Sequence, residues 1–170
     1  MQDPLAFMTP KHHAVRNFVV LEIPRHRGKP IRPNEIAAAL DLPAGDVVKL
    51  LDDLERHLFF LVRNQSGEVS WAFPVTSDRT QHRLKFSSGE SVYAACGEDS
   101  LATPFVQSRL RKKPLQVEIS TSCAHCDLPI HILVDEQLRW RVHETRADPR
   151  VFLPQIDWAT FRQPNIINAY

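Results

Sequence analysis

Three short runs that alternate apolar and polar residues restrict the second half of this chain more than any other feature. They are Leu115–Thr121, Pro129–Val134 and Leu138–His143. Period-two alternation is the pattern of a half-buried strand. The links between the runs are too short for a crossover helix, so neighbouring strands must run antiparallel. His82–Phe86 alternates in the same way, and Val151–Phe152–Leu153 offers a further apolar piece before Pro154. The reading is an antiparallel sheet with short helices, an α+β layout.

The first half reads differently. Val15, Phe18, Val19 and Ile23 recur at helical spacing, with Pro24 as the stop and Met1–Pro10 as an arm. Glu35–Leu40 is a short helix behind Asn34, and Pro43 suits the first turn of the next. That helix puts Val47, Leu50, Leu51 and Leu54 on one face. Leu58–Val62 and Val69–Phe73 flank a turn at Asn64–Gly67. Helix, short helix, helix and hairpin is the order of a winged helix-turn-helix. The expected organisation is an N-terminal arm and winged-helix-like domain over residues 1–78, packed on a domain over residues 79–170 that carries the cysteines. Thr76–Gln81 is the junction.

A DNA-reading role fits the charges poorly. Residues 43–56 carry Lys49 and Arg56 against Asp46, Asp52, Asp53 and Glu55, so 2 − 4 = −2. Phosphate repels an acidic probe helix. The net charge of +1 supplies no global field toward nucleic acid or membrane. No signal peptide is visible and no apolar run approaches a membrane span. A cytoplasmic monomer or homodimer is the expectation. Thirteen prolines against five glycines argue for interrupted helices, with Pro104 dividing one after Leu101. Arg109, Arg111, Lys112 and Lys113 read as a solvated basic loop.

Three cysteines, Cys96, Cys123 and Cys126, are too few for a disulfide framework. In a reducing compartment they stay available for metal or catalysis. Cys96 falls where Ser91–Ala95 leaves a strand and Gly97–Ser100 opens a helix. Helix-terminal N–H groups there would lower the thiol pKa and favour thiolate. Asp99 follows three residues on, close enough to share the space. A soft nucleophile beside a proton carrier is the sharpest chemical signal; the plainer reading is a buried cysteine with Asp99 as a cap. Cys123-x-x-Cys126 is half of a zinc pattern, better matched to a two-coordinate soft metal such as Cu(I) or Hg(II). His125 lies inside that turn, and His131 and His143 fall on strands.

The run Val92–Phe105, the strand leading to Ser122–Cys123 and the strand after Pro129 together resemble the alkylmercury (organomercurial) lyase family. The helical front from Ile31 to Leu58 is similar to that family's N-terminal helical domain. The resemblance implies protonolysis of a carbon–mercury bond. Cys96 would take the mercury, and Asp99 would receive the thiol proton and hand it to the leaving carbon; Glu98 is the competing carboxylate. The family places a second catalytic cysteine shortly after an Arg-Gln pair, whereas here Arg162-Gln163-Pro164-Asn165 has none. Cys123, Cys126 or a thiol from solution would then supply the second thiolate, or the cleavage is lost. Two alternatives stand beside the lyase reading. One is a soft-metal protein holding Hg, Cu or Zn on Cys96, Cys123 and Cys126 with no organic cofactor. The other is a winged-helix regulator.

Overall fold

The structure, a computed structural model, describes residues 6–57, 61–123 and 126–143. The expected strand at Val151–Leu153, the Arg162-Gln163 pair, His125 and residues Leu58–Phe60 lie outside the described residues. Among the described residues the chain forms helix α1 (Pro10–Arg25), α2 (Pro33–Leu40) and α3 (Ala44–Arg56), then strands β1 (Val62–Arg63), β2 (Val69–Ala72), β3 (Val75–Thr76), β4 (His82–Phe86) and β5 (Ser91–Ala94). Helix α4 (Gly97–Arg111) and strands β6 (Val117–Ser122), β7 (Pro129–Val134) and β8 (Trp140–His143) complete it.

All the strands join one antiparallel sheet in the order β1-β2-β3-β5-β4-β6-β7-β8. The α+β expectation holds. The sheet also runs across position 78, because Thr76 of β3 pairs with Tyr93 of β5. The polar stretch read as a junction thus contains the pairing edge between the front and the rest.

Alternation sets which face is covered. On β4, His82, Leu84 and Phe86 are buried while Arg83 and Lys85 are exposed. Leu84 stands opposite Val92 on one side and Ile119 on the other, so β4, β5 and β6 build one apolar face. Helices α1 and α4 cover it. Val15, Val19 and Ile23 of α1 are fully buried, as are Val47, Leu51 and Leu54 of α3. No described helix is long and apolar enough to cross a membrane.

Two prolines expected to stop helices lie inside them. Helix α1 starts at Pro10 behind a Thr9 cap and continues through Pro24, and α4 continues through Pro104. Pro24 brings no N–H to the carbonyl four residues back, that of Val20. The side chain of Gln107, on α4 and fully buried, donates to that carbonyl from Nε2 at 2.6 Å. The donor that the local sequence lacks therefore comes from another helix. Pro104 is itself buried, and tertiary packing outweighs propensity.

The basic cluster also differs from the solvated loop expected. Arg109 and Arg111 close α4, and Lys112 takes the left-handed cap position at φ 53°. The Arg111 side chain is 5% exposed; it donates to Gln107 Oε1 at 2.9 Å and pairs with Glu90 at 2.5 Å. Its guanidinium lies 5.2 Å from the Phe86 ring centre. A chain of contacts thus runs from the Val20 carbonyl through Gln107 and Arg111 to the turn before β5.

Gln107→Leu should lower stability by about 3 kcal/mol, since it strands the buried Val20 carbonyl and the Arg111 Nε–H. Urea unfolding checks this. Pro24→Ala, which returns a backbone donor to Val20, should recover part of the loss in the double variant. Strict additivity of the two changes would contradict the account.

Candidate functional site

Strand β5 ends at Ala94 and α4 begins at Gly97, so Cys96 is the N-cap of α4. Its backbone is extended (φ −145°, ψ 178°), which aims the side chain at the open N–H groups of the first turn. Sγ accepts from the Asp99 backbone N–H at 3.4 Å. The Asp99 carboxyl in turn reaches back to the Ala95 N–H and to the Cys96 thiol. The thiol thus takes the N-cap acceptor position, where serine or threonine is usual. Ser100 Oγ donates to the Gly97 carbonyl at 2.6 Å. Thr103 Oγ1 donates to the Asp99 carbonyl at 2.7 Å and lies 3.3 Å from that of Pro74. The first turns of α4 are thereby tied to the β2–β3 turn.

Glu98 points outward and is exposed, whereas Asp99 is 5% exposed. Of the two adjacent carboxylates, only Asp99 faces the thiol from the interior. Burial, and then the charge of Glu98, push its pKa up to about 7. The thiol, the Ala95 N–H and the Trp71 indole N–H pull the other way, although the indole stops short of a proper hydrogen bond. An acid poised at neutrality can both take and give a proton.

The thiolate expected from the helix terminus is not what results. Burial, and then the neighbouring Asp99 carboxylate, push the Cys96 thiol up to about 11. The N–H groups of Glu98 and Asp99 oppose this and lose. Partial helix charge acts through the first turn alone, while removal from water acts on the whole ion. At neutral pH Cys96 is a neutral thiol beside a carboxyl that titrates near neutrality.

None of the three cysteines is in a disulfide. Among the described residues no group of three or more His, Cys, Asp or Glu gathers as a metal site. The expected three-sulfur set is therefore not assembled. The sheet order explains why: Cys96 leaves β5, Cys123 leaves β6, and β4 lies between them. Two ladder steps separate the strands by about 10 Å. Cys126 sits further out, exposed, in the β6–β7 turn closed by Cys123 N–H on the Leu128 carbonyl at 2.9 Å.

Sequence reading missed His82, the first residue of β4, which pairs with Ala94 and is 6% exposed. Its Nδ1 lies 2.7 Å from Thr121 Oγ1. Its Cε1 lies 4.0 Å from where a Cβ on Gly97 would stand. Burial holds its pKa down. Alternation with Leu84 and Phe86 was the available signal, because it placed His82 on the covered face. His131 and His143 stand opposite each other on β7 and β8, with His131 exposed.

No known family profile and no curated protein sequence matches the chain. Among solved structures, the mercury-bound form of MerB2 superposes with a TM-score of 0.64. The match covers 84% of this chain at 16% identity, and the chain spans 63% of that structure's length. The likeness is one of fold.

The raised Asp99 pKa has a consequence for stability. An unfolded aspartate titrates near about 3.9. Between there and about 7 the folded state binds the proton more tightly, so this group's contribution falls as pH rises through that window. Above the window the penalty is constant. Asp99→Asn should therefore gain stability over the parent as pH increases, by at most about 4 kcal/mol near neutrality and by little near about pH 4. The difference between the two urea curves across pH isolates this group from carboxylates of opposite sign, such as Glu68 and Asp135, whose pKa values are lowered. A flat difference would show that Asp99 titrates normally.

Proposed function

We propose that this protein accepts an organomercurial on Cys96 and protonates its carbon from Asp99. The observation that carries the reading is the Asp99 carboxyl, buried against the Cys96 thiol with a pKa of about 7. The fold shared with a protein solved with mercury bound supports it. So does the residue order of the stretch Val92–Phe105.

The steps balance with these two residues. Cys96 S–H meets R–Hg–X; the S–Hg bond forms, X⁻ leaves, and the thiol proton passes to the Asp99 carboxylate. A neutral thiol is no obstacle, since a bound thiophilic metal deprotonates it outright. Asp99 is now the acid. It protonates the carbon, the C–Hg bond breaks, R–H departs, and the mercury stays on Cys96 as a cation beside the regenerated carboxylate. Two thiolates from solution carry the mercury off as a bis-thiolate, and the freed Cys96 sulfur takes a proton from solvent to restore the neutral thiol. A pKa near neutrality suits Asp99 to both transfers, whereas an ordinary exposed aspartate would hold too little proton to give. In this reading residues 1–78 form a winged-helix-like support, and residues 79–170 carry the chemistry. The buried Gln107 bond from α4 to α1 links the two.

Phenylmercuric acetate with excess glutathione should yield benzene, measured by gas chromatography. Asp99→Asn should keep mercury on Cys96 yet slow release by about 10²-fold or more. Benzene release no faster than from Cys96→Ser would sink the reading.

A further inference from the structure

A mercury atom on Cys96 has one strong protein donor, and soft two-coordinate cations prefer two. The cysteines at 123 and 126 stand on the far side of β4. What lies between is His82. It is paired with Ala94, two residues before Cys96, and lies beside Gly97, one residue after it.

The two ring nitrogens of His82 are not in equivalent surroundings. Nδ1 meets the Thr121 hydroxyl at 2.7 Å, a short, well-formed bond. Nε2 has Gln81 Nε2 at 3.5 Å, the outer limit of a hydrogen bond. The amide oxygen of Gln81 is engaged elsewhere, accepting from Ser122 Oγ at 3.2 Å. Gln81 can therefore only donate to Nε2, and weakly. This assigns the proton to Nδ1, with the Thr121 oxygen as its acceptor, and a lone pair to Nε2. Cε1, the carbon between the two ring nitrogens, lies 4.0 Å from where a Cβ on Gly97 would stand, which puts the ring next to the first turn of α4. One nitrogen held by an oxygen partner while the other keeps a buried lone pair is how metal-binding imidazoles are set up. Burial also keeps the ring neutral, as a ligand must be.

We propose that His82 Nε2 is the second protein donor to the mercury that Cys96 carries, in the organomercurial adduct and in the Hg(II) product. This rests on the reading of Cys96 as the mercury acceptor. In the adduct Cys96–S–Hg–R, from which X⁻ has already left, Nε2 adds its lone pair to mercury as a third donor with no bond broken. After R–H departs it holds the position that carbon vacated, and no proton moves, because Nε2 carries none. Electron density from a second donor makes the carbon easier to protonate. Thr121 holds the ring in the tautomer and orientation that this requires.

The test uses the full chain with Cys123→Ser and Cys126→Ser, so that Cys96 is the single thiol. Mercuric chloride and phenylmercuric acetate are added to one equivalent, and mass spectrometry counts the adduct. Long-range ¹H–¹⁵N spectra follow the imidazoles, with His82→Gln identifying the resonance. The expected result is a large shift of His82 Nε2 with little change at Nδ1, lost in Cys96→Ser. His82→Phe should weaken Hg(II) retention against glutathione at least about tenfold, and Thr121→Val should do so in part. An unmoved Nε2 with mercury shown on Cys96 overturns the proposal. So does retention in the parent chain that falls in Cys123→Ser but not in His82→Phe, which would assign the second donor to Cys123. The spectra decide the matter even where a His82 variant fails to fold. They are also independent of benzene release, so a shifted Nε2 without cleavage sinks the protonolysis reading alone.

Discussion

A carboxyl held out of water at the start of α4 is the constraint on which the remainder turns. Asp99 gains the Ala95 N–H and the Cys96 thiol, and still its acid form is favoured to about neutrality. Local hydrogen bonds of this kind usually pull a carboxylate down. Here desolvation outweighs them. Thr103 fastens the helix to the Pro74 carbonyl, and Gln107 fastens it to Val20 of α1. Both side chains are fully buried. The contacts that hold α4 on α1 and on the β2–β3 turn are thus also the contacts that set the chemistry of its first turn.

That dependence explains what could be read from the sequence. The pairing of Cys96 with Asp99 was legible, because a cap and its third residue meet through local geometry alone. The strand pattern was legible for the same reason: alternation at His82–Phe86 and at Val117–Ile119 reports a covered face wherever the partner strands lie. The charge states were not legible. Local sequence supplies the helix N–H groups that favour thiolate, but the burial that defeats them comes from segments distant in the chain. The helix ends at Pro24 and Pro104 failed likewise. Proline removes a donor, and sequence shows the removal; the replacement at Val20 comes from Gln107, 87 positions away. Arg111 looked solvated beside Lys112 and Lys113 for want of any sign that Glu90 and Phe86 would enclose it.

The cysteines show how topology outranks spacing. Cys123 and Cys126 are three residues apart and suggest a site by themselves. Yet the sheet order inserts β4 between their hairpin and Cys96, and β4 presents an imidazole there in place of a sulfur. A strand order with β5 beside β6 would have brought the thiols within one ladder step. The residue at position 82 thus matters through the order in which the strands pair, which no local motif records.

The order of the two pKa values also bears on selectivity. With the thiol near 11 and the carboxyl near 7, the unliganded pair is a weak nucleophile toward ordinary electrophiles at neutral pH. Thiolate reactivity depends on the ionised fraction, which here is very small. A hard cation gains little from a neutral thiol and finds a carboxylate only part of the time. A thiophilic cation displaces the thiol proton by forming its own bond, and Asp99 stands ready to receive that proton. On the proposed reading the site is therefore quiet until a soft metal arrives, and the proton released by capture is the one needed to break the metal–carbon bond. An exposed thiolate would react faster with everything and would leave that proton in the solvent.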